Sequence, residues 1–154
     1  MPSLRDPETL HPLLLPLHYR AMDLWRAGGL IPVLTFAWRS AAAQDRLWQI
    51  GRRGIPGEKI VTYVRGGYSW HNVERDGRPA SLAFDVAMMT DDGHALLPDT
   101  DERWIVAGQV GEGLGLTWGG RWRLRDCCHY QLDNRGTLAL ADAMAGVDPA
   151  GGVA

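Results

Sequence analysis

The sequence predicts an α+β fold, a small antiparallel sheet with flanking helices. Three observations point there. Helical and strand-like apolar spacings are mixed along the chain without strict β–α alternation. The chain has 154 residues and is 45% hydrophobic, which matches one globular domain of ~100–200 residues with a core that needs no disulfides. Gly and Pro together number 28 (19 + 9), below the ~25–30% at which chains fail to pack.

The elements follow in order. Leu10, Leu13, Leu14, Leu17, Ala21, Leu24 and Trp25 keep helical spacing. Pro12 and Pro16 place the helix start near residues 13–16, because Pro fits a first turn, and Gly28-Gly29 stops it. Pro32 to Trp38 is apolar and partly β-branched, a strand. Ser40 caps a helix over 41–52 that carries Leu47, Trp48 and Ile50. Gly51 to Gly67 reads as loop, with a short strand near Ile60 to Tyr63. Leu82 to Met89 is a strand, and Asp91-Asp92-Gly93 a turn. Asp101 to Leu116 is a helix closed by Gly113 and Gly115, and Trp122 to Leu132 another strand. Thr137 to Met144 is a final short helix. The expected division is one domain over residues 1–145 and a Gly/Ala/Pro-rich tail over 146–154.

Several function classes are excluded by composition. A net charge of −2 gives no bulk attraction to nucleic acid. The basic residues are Arg except Lys59. Cys127 and Cys128 are adjacent and cannot build a disulfide framework. No apolar run approaches the ~18–20 residues of a membrane span, so no stable membrane association is expected. Leu13-Leu14-Leu15, hemmed by Pro12, Pro16 and His18, makes a poor signal peptide.

Three segments carry chemistry. They are Trp38-Arg39-Ser40, then Ser69-Trp70-His71-Asn72 with Ala83-Phe84-Asp85, then Trp118-Gly119-Gly120-Arg121-Trp122 with Asp126-Cys127-Cys128-His129. Two His and one Asp suit a catalytic zinc, which keeps a fourth position for water. Asp85 stands in an otherwise apolar strand, where a carboxylate needs a metal, a cation or donors. Asp126, three residues before His129, is placed to serve as general base.

These segments, in this order, resemble the zinc peptidases of the D-Ala-D-Ala carboxypeptidase and L-alanyl-D-glutamate endopeptidase family, to which many phage endolysins belong. The resemblance rests on Trp38, Arg39, Ser40 and Gln44, on Gly51-Arg52 and Pro56-Gly57, and on Ser69, His71, Ala83 and Asp85. It continues through Trp118 to Trp122, then Asp126, His129 and Tyr130, and covers roughly residues 15–143. It implies that His71, Asp85 and His129 bind zinc in a cleft on the sheet. It makes Asp126 the catalytic acid/base and gives Arg39 a developing oxyanion or a substrate carboxylate to hold. Ser69 and Gln44 would support the site or the substrate, and Trp118 and Trp122 would line the cleft.

One departure is visible. The family separates its first His and Asp by six residues, whereas thirteen (72–84) lie between His71 and Asp85. The extra segment, Glu74 to Pro79, reads as an exposed turn that extends a hairpin beside the cleft. Arg121, Arg123 and Arg125 would form one polar face of a strand, solvated or in contact with acidic groups of a stem peptide. Cys127 and Cys128 read as packing thiols; if 127–131 is extended, Cys127 shares a face with His129 and Cys128 points away.

The expected function is therefore that of a monomeric zinc peptidase cutting the L-alanyl-D-glutamate bond of peptidoglycan stem peptides. A phage enzyme of this kind would wait in the host cytoplasm until lysis. A D-Ala-D-Ala carboxypeptidase or dipeptidase is the neighbouring alternative, and a non-catalytic zinc-binding module the alternative of another class.

Overall fold

The computed structural model describes residues 2–133. The expected helix at Thr137–Met144 and the tail at 146–154 lie outside them. Among the described residues there are three α-helices and six strands, besides short 3₁₀ turns: α1 (Leu15–Ala27), β1 (Ile31–Phe36), α2 (Ala41–Gln49), β2 (Glu74–Arg75), β3 (Arg78–Pro79), β4 (Ala83–Met89), α3 (Arg103–Gly113), β5 (Thr117–Trp118) and β6 (His129–Gln131). Four strands form an antiparallel sheet in the order β1-β4-β6-β5, and β2 and β3 form a separate hairpin. This is the α+β architecture that the mixed spacings predict. Among the described residues no helix is long and apolar enough to cross a membrane.

Local chemistry explains the element ends. Pro16 sits in the first turn of α1, where its missing N–H costs nothing. Gly29, at φ +86, reverses the chain after α1 and lets the Leu30 N–H reach the Trp25 carbonyl at 2.9 Å. Ser40 caps α2 by accepting the Ala43 N–H at 3.1 Å.

Strand alternation then divides the sheet into two faces. Phe84 pairs with Tyr130 and Asp85 with His129 across β4 and β6. Phe84 and Tyr130 stack at 5.6 Å and meet Trp25 of α1 at 6.5 and 5.0 Å. All three rings are buried. The next residues along, Asp85 and His129, take the opposite face because successive side chains alternate. The Trp25 indole N–H donates to the Ala107 carbonyl at 3.0 Å and ties α1 to α3 beneath the sheet. One face thus holds the core and the other presents the polar groups.

Two expected strands are corrected. No strand forms near Ile60–Tyr63. The chain bends at Tyr63, and the Thr62 and Val64 carbonyls bond to side chains of Arg52 and Gln44 rather than to another strand. The strand expected over Trp122–Leu132 shrinks to β6. The N–H groups of Trp122 and Asp126 both close on the Gly119 carbonyl, at 3.1 and 2.9 Å, so residues 122–126 loop instead of pairing. The polar strand face of Arg121, Arg123 and Arg125 therefore does not exist; Arg121 instead forks onto Glu112 of α3 at 2.9 and 3.1 Å.

Candidate metal centre

His71 lies in a short 3₁₀ turn, Trp70–Asn72, opened by Ser69. The Ser69 hydroxyl accepts the His71 N–H at 3.2 Å, while the Asn72 side chain returns to the Ser69 N–H at 3.3 Å. Asn72 also donates to the Arg39 carbonyl at 2.7 Å, and the Arg39 N–H donates to the His71 carbonyl at 3.0 Å. The Ser-x-His spacing is thus a cap that fixes a histidine. Asp85 and His129 come from directly paired positions of β4 and β6.

The three side chains meet at a buried point, with one ligand atom from each within 4.8 Å of the others. His71 Nε2 is 3.2 Å from His129 Nδ1 and 3.3 Å from Asp85 Oδ1, and His129 Nδ1 is 3.0 Å from the same oxygen. The outer nitrogens are already engaged. His71 Nδ1 donates to the Ala37 carbonyl at 2.7 Å, and His129 Nε2 lies 2.8 Å from the amide oxygen of Gln131. Each neutral imidazole therefore turns a lone pair inward, towards a carboxylate oxygen. Three acceptors in mutual contact need a cation or a proton between them. The donor set fits a metal ion.

Titration follows the same logic. Burial pulls the His71 imidazole down, which favours its neutral form. Burial works against the Asp85 carboxylate, but the charges and hydrogen bonds of the two imidazoles outweigh it and hold it well below the usual carboxylate range. Burial would also lower His129, yet the hydrogen bond and charge of Asp85 raise it. A proton and a metal ion thus compete for the same nitrogen.

The cluster forms the floor of a cleft of about 230 Å³. Arg39, Gln44, Ser69, Trp122 and Asp126 line it as well. Arg39 donates to the Gln44 amide oxygen at 2.8 Å and approaches Asp85 Oδ2 at 3.5 Å, with its guanidinium 4.8 Å from the Phe36 ring centre. Gln44 is buried and donates in turn to the Val64 carbonyl at 2.8 Å. The Trp122 ring leans on the His129 ring at 4.9 Å. Asp126 is half-buried at the rim.

Trp118 is placed differently from the expectation. Its side chain is buried in the core, wedged against Gly108 and Gly120, and its N–H donates to the Cys127 carbonyl at 2.8 Å. It supports the turn that carries Asp126 and does not line the cleft. The cysteines also exchange roles. Residues 127 and 128 lie in a turn, so strand alternation does not apply. Cys127 is buried, and it is Cys128 that lines the cleft, its thiol donating to Asp126 Oδ1 at 3.1 Å. Burial raises the Cys128 thiol and keeps it protonated. The 74–79 segment forms the β2–β3 hairpin, turned by Asp76 and Gly77 at φ +52 and +72. It borders a separate groove with Glu8, Leu10 and Pro12 and contributes nothing to the cleft lining.

Sequence reasoning missed the wall of Val61, Thr62 and Val64, and it missed Gln131. Only the latter carried a signal: it stands two residues beyond His129 and so shares its strand face.

No family model matches the chain. It is 32% identical to the peptidoglycan L-alanyl-D-glutamate endopeptidase CwlK of Bacillus subtilis (strain 168), over 135 residues covering 82% of this chain and 75% of that protein. The chain belongs to the CwlK family. The CwlK-like portion is long enough to include most of the elements that build the cleft, and the sheet carrying Asp85 and His129 is the framework on which this member assembles its candidate metal centre.

Proposed function

We propose that this protein is a zinc-dependent peptidase that hydrolyses the L-alanyl-D-glutamate bond of peptidoglycan stem peptides. The observation that carries the reading is the buried His71–Asp85–His129 cluster at the floor of a cleft that also holds Asp126 and Arg39. Similarity to CwlK supports the substrate class. The ligand atoms lie 3.0–3.3 Å apart. A tetrahedral zinc with bonds of roughly 2.0–2.1 Å separates its ligands by roughly 3.3–3.4 Å, close to this spacing.

Zinc held by His71, Asp85 and His129 would supply Lewis acidity for the scissile carbonyl and for an attacking water near neutral pH. The rest falls to the protein. Asp126 takes the proton of the attacking water and delivers it to the leaving amine, a role suited to a half-buried carboxylate at the rim. Cys128 holds the Asp126 carboxylate in place. Arg39, braced by Gln44, offers its fork to the negative charge of the substrate or of the reacting oxygen. Trp122 packs against His129 and shields the ligands from bulk water. The phage-lysis setting belongs to the same proposal, and expression with and without a membrane-breaching partner tests it: lysis should require both.

Mass analysis of fragments released from purified peptidoglycan tests the chemistry. New N-terminal D-glutamate is the expected result. Release of D-alanine alone would favour the carboxypeptidase, and bound zinc without any cleavage the binding module.

A further inference from the structure

The hydrogen bonds behind His129 have a direction. The side-chain amide of Gln131 donates to Asp133 Oδ2 at 2.8 Å, and the Thr117 hydroxyl donates to Asp133 Oδ1 at 2.7 Å. An ionised carboxylate only accepts, so Asp133 compels Gln131 to turn its NH₂ outward. The amide oxygen of Gln131 is then left facing His129 Nε2 at 2.8 Å. That oxygen also only accepts, so the imidazole must place a proton on Nε2. The Nδ1 lone pair is what remains, directed at Asp85 Oδ1 and His71 Nε2.

The backbone makes the arrangement rigid. Thr117 of β5 pairs directly with Gln131 of β6. Gln131 is 3% exposed, so water does not offer its amide an alternative partner. Were the amide reversed, its NH₂ would face the imidazole, and Nε2 would have to supply the lone pair instead of Nδ1. The direction of one side-chain amide therefore sets which nitrogen of His129 is available to a metal.

We propose that Thr117, Asp133 and Gln131 form a positioning relay that fixes the ligating nitrogen of His129. The proposal rests on the zinc reading above and adds three residues outside the ligand set, acting through His129. Outer partners of metal-bound histidines typically contribute ~10–100-fold in metal affinity.

The test is zinc affinity of the full chain, measured by competition with a chromophoric chelator. Gln131→Leu removes the acceptor and should weaken zinc binding by ~10–100-fold. The exchanged pair Gln131→Glu with Asp133→Asn keeps the outer two bonds in the same direction and reverses only the one between 131 and 133: a carboxylate accepts from His129 and from the new amide, whose oxygen accepts from Thr117. It should restore wild-type affinity. In the zinc-loaded wild type, NMR should also show a slowly exchanging proton on His129 Nε2. Wild-type affinity in Gln131→Leu, a folded exchanged pair that binds no better than Gln131→Leu, or a fast-exchanging Nε2 proton in the zinc-loaded wild type would each overturn the relay while leaving the zinc reading intact. A wild-type chain that binds no zinc would overturn both.

Discussion

The floor and the outer wall of the cleft are built by different means. The floor is sheet: Asp85 and His129 sit on paired strands, and the aromatic stack of Trp25, Phe84 and Tyr130 lies beneath them. The wall, residues 50–69, has no regular structure. It is held by side chains reaching across to backbone: Gln44 to the Val64 carbonyl, Arg52 to the Thr62 carbonyl, and Asp45 and Asn72 to the N–H groups of Gly66 and Gly67. It presents Val61, Tyr63 and Tyr68 to solvent. A ladder with a packed underside fixes two of the three ligand side chains, Asp85 and His129, whereas a stitched loop can be reshaped by exchanging one stitch. On the proposed function, chemistry falls to the floor and substrate fit to the wall.

The largest expected effect tests the division at the rim of the floor. Asp126→Ala should lower turnover by ~10²–10⁴-fold while zinc content stays whole, because Asp126 lies outside the ligand set. Steady-state rates beside metal analysis check this; loss of the metal together with activity would make Asp126 part of the floor itself.

Next comes the support under the floor. His18 of α1 is buried edge-on to Phe84 at 4.7 Å, and burial, with the Arg26 charge, lowers its pKa to about 4. The unfolded chain takes up this proton near pH 6.5 and the folded chain only near pH 4. Stability should therefore fall as pH drops through this window, by about 3 kcal/mol, and change no further through this residue below it. Denaturant melts between pH 7 and 4 give the slope, and His18→Leu should flatten it.

A smaller effect is expected at the wall. Gln44→Ala frees both the Val64 carbonyl and the Arg39 guanidinium. It should cost about 1–3 kcal/mol of stability and raise KM, with zinc content unchanged. Unfolding curves and saturation kinetics separate these; an unaltered KM would remove the wall from substrate fit. The smallest effect belongs to the hairpin. Asp76→Ala, at a positive φ, should cost about 1 kcal/mol and leave turnover unchanged, since the hairpin borders another groove. A changed cleavage rate would join the insertion to the cleft.

The same contrast explains what was legible in the sequence. The apolar run of β4 marked a strand in which Asp85 needed a metal, a cation or donors, and the Ser69-x-His71 motif marked a ligand by resemblance. These are local signals, and they survived folding. The wall was misread because Ile60 to Tyr63 has strand character, while whether a strand forms depends on a partner far along the chain. Trp118 and Trp122 look equivalent in sequence. Only the packing of Gly108 and Gly120 shows that one is core and the other cleft. For Cys127 and Cys128, the turn at those positions broke the alternation on which their assignment relied.

Helix α3 extends the point to how the molecule holds together in time. Gly108 lies so close to the Trp118 ring, and Gly111 to the Tyr130 ring, that a methyl group at either would fall 2.3 or 2.5 Å from aromatic carbon. Each glycine weakens the helix by ~1 kcal/mol relative to alanine, and exposed Ile105 and Val106 add little propensity. The helix therefore depends on the rings it covers, one of which is the neighbour of His129 in β6. Helix and ligand strand should open as one cooperative unit, with their amide protons exchanging at a common rate.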